Sequence, residues 1–306
     1  MTVSHDNEYV FYELLKYLWK KKIAICSIVF SVALLTVIWV INIPNQYQSS
    51  ALVSPTESAK GNGLSSMGAQ LGGLASLAGI NLSGGSADKV SIALQVISSR
   101  QFILEFIERY DIAVPLIASA SWDKINENLV IDKDIYDVES KAWTRKNSDN
   151  EVYEPTTVEL YNTFIDLMTI EQDATSGMVT ISIEHISPQL AQKWTGLLVE
   201  ELNKIMRVRD ISATEKSISF LYKQIDNTTN FEMQKMFYEL IQEQTKTLMI
   251  AEVTPEYIFE VIDPAYLPLD KSSPKRALIV IAAAILTGML TLFGFILVFL
   301  VFPKEK

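Results

Sequence analysis

The stretch KYLWKKKIAICSIVFSVALLTVIWVINIPNQYQSSALVSP, Lys16–Pro55, decides the fold. Ile23–Ile43 runs for 21 residues without a charge. A helix needs roughly 20 apolar residues to cross the hydrocarbon core of a bilayer. Lys20, Lys21 and Lys22 precede the run. Tyr17 and Trp19 lie on one side, and Trp39 and Tyr47 on the other, as interfacial aromatics do. A cleaved signal peptide is the competing reading. Its apolar core would span only roughly 7–15 residues and end at a small-residue cleavage site, and WVINIPNQYQ offers none. The run is read as a retained anchor, followed by a β-branched, alternating strand over Tyr47–Pro55.

A second charge-free stretch, Ala277–Phe302, is 26 residues long. Two spans place both termini on one side. Near the span ends, Lys16, Lys20, Lys21, Lys22, Lys304 and Lys306 face Lys60, Lys271, Lys275 and Arg276 across the membrane. Basic residues favour the cytoplasm, so the termini are expected there. Lys271, Lys275 and Arg276 then lie on the outer face, where Lys275 and Arg276 can reach lipid phosphates.

The expected organisation is a cytoplasmic segment 1–22, spans 23–43 and 277–302, a large domain 44–276 and a tail 303–306. The domain holds 20 Lys and Arg against 32 Asp and Glu. That acidity disfavours nucleic acid and anionic lipid as its partners. Alternation predicts strands at Leu167–Gln172 and Met178–His185, joined by a DATSG turn, and at Glu256–Asp263. The first and last strands adjoin the membrane and are expected in one sheet. Helical spacing over Ala87–Tyr110 predicts one helix. From Ser187, a cap and a proline open a stripe through Leu190, Trp194, Leu197, Leu202, Ile205, Ile218 and Leu221. Unbroken to Ile225, this helix would be about 57 Å long at about 1.5 Å per residue. The stripe reads either as core packing or as a strut between subunits. A further helix is expected over Phe231–Ala251.

Gly61–Gly85 holds 8 of the 12 glycines, interleaved with Leu, Ile and Met. It reads as a surface loop or as a segment that orders in an assembly. No G-x-x-x-x-G-K-[ST] pattern occurs, so no phosphate loop is expected.

The chemical inventory is thin. Cys26 is the sole cysteine, and His5 and His185 are the two histidines. No cofactor or metal site is expected, and His185 reads as structural or surface. The pair Asp132/Asp134 lies in an acidic, partly alternating segment, and Glu200/Glu201 is read as solvated charge on the polar face of a long helix. A catalytic role is not expected.

This layout resembles the chain-length determinant family, the Wzz or polysaccharide co-polymerase proteins. The resemblance rests on the two spans, the large domain with its long helix, and a motif entering the second span: Pro268, Ser273, Pro274 and Lys275, then Gly288 and Gly294. Two departures stand out. Ala265 occupies a position where the family often has proline, and five residues rather than three separate the glycines. Ala284 with Gly288 adds a small-xxx-small pair suited to close helix approach. The resemblance implies an α+β inner-membrane protein with a periplasmic domain and a small antiparallel sheet near the bilayer. It implies a ring-like homo-oligomer that sets the modal length of a polysaccharide, most typically lipopolysaccharide O-antigen, made by a Wzy-type polymerase. It implies the kinase-less class and contact with the growing lipid-linked polymer. Pro268 to Arg276 would form a stiff junction with the second span. The alternatives are a membrane adaptor or sensor, or a capsule or exopolysaccharide export component.

Overall fold

The computed structural model describes residues 3–56, 59, 89–147 and 149–301. Gly61–Gly85, and with it the choice between its two readings, lies outside them. Two compact units are present: residues 1–45 with 271–306, and residues 46–270.

The first unit is a pair of helices, α1 (Val3–Ile41) and α8 (Arg276–Val301). Leu14–Ile41 and Arg276–Phe299 are long and apolar enough to span a bilayer. The helices pack antiparallel: Tyr17 meets Phe299 near one end, and Arg276 meets Ile43 at the other. Three hydroxyls within the spans are satisfied by their own helices, as hydrocarbon demands. Ser31 donates to Ser27, Thr36 to Val32 and Thr291 to Gly288.

The second unit opens with β1 (Tyr47–Pro55). Then come α2 (Lys89–Ile97), α3 (Arg100–Arg109) and the short α4 (Ala113–Ile117). Two small hairpins follow, β2 (Ser119–Asp123) with β3 (Asn128–Ile131), and β4 (Tyr136–Asp137) with β5 (Ala142–Trp143). After them come α5 (Thr157–Leu167), β6 (Met168–Gln172) and β7 (Val179–His185). The 40-residue α6 (Pro188–Asn227), α7 (Phe231–Val253) and β8 (Phe259–Asp263) complete it.

The main sheet has the order β6-β7-β1-β8, and every pairing is antiparallel. The first and last strands do pair. β6 and β7 turn at the expected residues: Asp173 accepts from the amides of Thr175 and Ser176, and Gly177 takes φ +71°, which favours glycine.

α6 packs on β1 and β7. Trp194, Leu198 and Leu202 meet Val53, Ile181 and Ile183 of the sheet and Phe102, Phe106 and Phe164 of the flanking helices. Asn203 of α6 ties β8 in place. Its Oδ1 accepts from Ile258 and Phe259 N–H, and its Nδ2 donates to Phe259 C=O. This satisfies a buried amide, which would otherwise be costly. Further along, Leu221 and Ile225 form a separate cluster with Ile241 of α7.

The expected single helix over Ala87–Tyr110 is two helices, bent by 58°. Ser99 Oγ accepts from Phe102 N–H and caps the second, so the chain can turn while its apolar spacing continues.

Candidate membrane junction

The motif residues take distinct places. Pro268 is buried within its own unit, whereas Lys275 is exposed. Arg276 N–H donates to Pro274 C=O over 2.9 Å, opening α8. The Arg276 guanidinium then donates through Nη2 to Ile43 C=O, also at 2.9 Å. Ile43 lies just past the end of α1, where orphan carbonyls and the helix dipole favour a cation. This ties the two helices at one end. Sequence reading took Arg276 as a lipid-facing cation. The structure turns it toward its partner helix.

At the other end, the Tyr17 ring centroid lies 5.4 Å from that of Phe299 and 6.4 Å from that of Phe295. Between them Gly288 faces Val29. A Cβ added at Gly288 would stand 4.0 Å from Val29 Cγ2, an ordinary contact rather than a clash. At Gly294 an added Cβ would meet nothing, and Ala284 is half-buried. Neither glycine is therefore a place where these two helices approach too closely for a methyl group.

The long-helix stripe lies in large part within the chain's own core. Trp194, Leu202 and Leu221 are 2%, 0% and 9% exposed. Leu190, Leu197 and Ile205 pack against the main core, and Ile218 against the smaller cluster. Trp194, Leu202 and Leu221 are thereby spent within the chain, whereas Leu190, Leu197, Ile205 and Ile218 are half-buried. What α6 and α7 leave outside are other residues, among them Phe220, Tyr222, Met236 and Tyr238.

Several titratable groups are committed to structure. His185 Nδ1 accepts from Ser187 N–H, which leaves Nε2 protonated to donate to Pro115 C=O. Its ring lies 4.7 Å from that of Trp194, and burial holds its pKa below the ordinary histidine value. Asp132 accepts from Asp134 N–H in a turn. Glu201, read as solvated, is buried. It is paired with Arg109, bonded by Tyr110 Oη at 3.1 Å and approached by Lys204 at 3.7 Å. Burial, then the bond to Glu201, pushes the Tyr110 hydroxyl up.

A second cluster joins Lys89 Nζ, Asp210 and Tyr257 Oη. The Lys89–Asp210 bond is 2.6 Å and the Tyr257–Asp210 bond 2.8 Å. Burial pulls Lys89 down, but the hydrogen bonds and charge attraction of Asp210 and Tyr257 together outweigh it, and the net shift is upward. Spacing gave no sign of either cluster, because both join residues far apart in the chain. Among the described residues, no group of three or more His, Cys, Asp or Glu could hold a metal ion.

Residues 8–110 match the family model described as Wzz, chain length determinant protein. Over these residues the chain is similar to the Wzz chain length determinants. The match covers α1, β1, α2 and α3 but not the Pro268–Gly294 motif. No curated protein matches the sequence.

Two solved structures are similar. A full-length bacterial polysaccharide co-polymerase is 14% identical, with 92% of this chain and 95% of that one covered and a TM-score of 0.33. A fragment of WzzB, a polysaccharide co-polymerase from Salmonella Typhimurium, is 13% identical, with 75% and 100% covered and a TM-score of 0.29.

Proposed function

We propose that this chain regulates polysaccharide chain length without being an enzyme. The observation that carries the reading is the chain length determinant match over residues 8–110. The antiparallel helix pair supports a two-span anchor in the bacterial inner membrane, with both termini cytoplasmic and residues 44–276 periplasmic. The buried, paired state of His185 and Glu201 supports a scaffold rather than a catalyst.

In this reading the chain works as a homo-oligomer beside a Wzy-type polymerase and sets how long a lipid-linked glycan, such as O-antigen, keeps growing. The outward apolar residues of α6 and α7 are the candidates for subunit contact. Pro268, Ser273, Pro274 and Lys275 form a stiff link from β8 to α8, because proline restricts its own φ and the residue before it.

Deleting the gene and resolving surface polysaccharide on gels tests the function. Loss of the modal length, restored by the intact gene, is expected. An unchanged length distribution would sink the reading.

A further inference from the structure

We propose that a cleft in the second unit, between Trp122, Lys124, Glu127, Gln189 and Pro268, binds one sugar residue of a glycan. It has a volume of about 190 Å³, and Tyr47, Pro188, Leu267 and Leu269 complete its lining. Pockets for drug-sized ligands run to roughly 300–1,000 Å³. This one is too small for a large cofactor but has room for a single pyranose ring.

The chemistry of the lining selects a sugar. A pyranose has an apolar face and an edge of hydroxyls that both donate and accept. Trp122, Tyr47 and Pro188 supply apolar surface, and aromatic rings offer much of it at small entropic cost. Lys124 can only donate, Glu127 as a carboxylate can only accept, and Gln189 does both. The charges of Lys124 and Glu127 offset each other, so neither a polyanion nor a polycation is favoured.

The cleft is built in advance of any ligand. Tyr47 starts β1 opposite His185, and it is 2% exposed, so it forms the floor. Ser187 caps α6 and fixes the turn that carries Gln189. The β2–β3 hairpin has a register shift between Ser119 and Ser121, just before Trp122, and bulges of this kind re-aim side chains. Its turn is held by Asp123, which accepts from Ile125 and Asn126 N–H.

Glu127 ends that turn at φ +51°, a strained value for a non-glycine residue. Gln189 Nε2 donates to Glu127 Oε2 at 3.2 Å, joining two walls of the cleft. The wall that includes Leu267 and Pro268 is pinned as well. Ser49 Oγ donates to Tyr266 C=O at 2.7 Å, and Gln192 Nε2 donates to Ala265 C=O at 3.0 Å. Such rigidity lowers the ordering cost of binding.

The choice of ligand rests on the chain-length reading above, and the test separates the two. The probe is polysaccharide released from the surface of the producing cells and cut to short fragments. Fragments are titrated into the full-length protein in detergent and followed by calorimetry and saturation-transfer NMR. Wild type should bind. Trp122→Ala should lose at least about tenfold in affinity, or about 1.4 kcal/mol, and Trp122→Phe should lose less. Gln189→Ala should weaken binding several-fold.

Thermal unfolding shows whether each variant is folded. If Trp122→Ala is not, the exposed Lys124→Ala and Glu127→Gln carry the same test. No binding by wild type, or equal binding by all folded variants, overturns the proposal. Fragment binding that depends on Trp122, in a protein whose deletion leaves product length unchanged, would keep the cleft and discard the chain-length reading.

Discussion

Arg276 donates to the carbonyl of Ile43 across 2.9 Å, although 233 positions separate them in the chain. A hydrogen bond from a charged donor contributes roughly 1.5–3 kcal/mol, and Arg276 is half-buried, which favours the lower end. Arg276→Leu should therefore cost about 1.5 kcal/mol. Urea unfolding of the detergent-solubilised protein checks this, and an unmoved midpoint would mean the tie is idle.

Arg109 and Glu201 should respond asymmetrically. The Glu201 side chain is 3% exposed, whereas that of Arg109 is 43% exposed. Arg109→Met takes away the arginine partner of a buried carboxylate, leaving it Tyr110 and Lys204, and should cost about 3 kcal/mol. Glu201→Gln leaves an arginine that can turn to water, so it should cost about 1 kcal/mol. Thermal unfolding of both variants gives the order, and a reversal would contradict the burial argument.

Asn203→Ala removes three hydrogen bonds and leaves the Ile258 and Phe259 backbone groups without partners. Each stranded group costs roughly 1–3 kcal/mol, so about 3 kcal/mol or more should be lost. Hydrogen exchange should speed up first at β8. Uniform exchange across the whole sheet would argue against a local anchor.

Stability should fall with acid through His185. Burial depresses its folded pKa below the ordinary 6.5. Below that value the unfolded chain takes up a proton before the folded chain does. Stability is therefore full above about pH 6.5 and declines as pH drops toward the folded pKa. Glu159, held low by its bond to Arg145, adds a loss of the same sign only in the carboxylate range. Melting curves between pH 7.5 and 5 measure the histidine part, and His185→Gln should flatten it.

Replacing Pro268 and Pro274 by Ala tests the proposed junction. If stiffness there couples the large domain to α8, surface polysaccharide should lose its modal length while the protein stays folded. Normal product length with the double variant would leave α8 as a plain helix start.

The long elements were legible in the sequence because each depends on local chemistry. A charge-free run marks α1 and α8, alternation marks β1 and β7, and Ser187-Pro188 opens α6. Shorter features were not legible. β4 and β5 are two residues each, too short for alternation to register. The α2–α3 bend hid because the apolar spacing runs across Ser98 and Ser99. Glu201 looked solvated beside Glu200, since adjacent helix residues point in different directions and only packing shows which one is buried.

By itself the sequence determined two membrane helices, the strands of a hairpin and a long helix opening at Ser187-Pro188, since hydropathy and periodicity act over neighbouring positions. Only the tertiary structure decided that Arg276 ties one helix to the other. It decided too that the long stripe is spent in large part on an intrachain core, and that Trp122, Lys124, Glu127 and Gln189 share one cleft. Those outcomes depend on contacts between distant segments, whose free energy exists only once the chain has closed on itself.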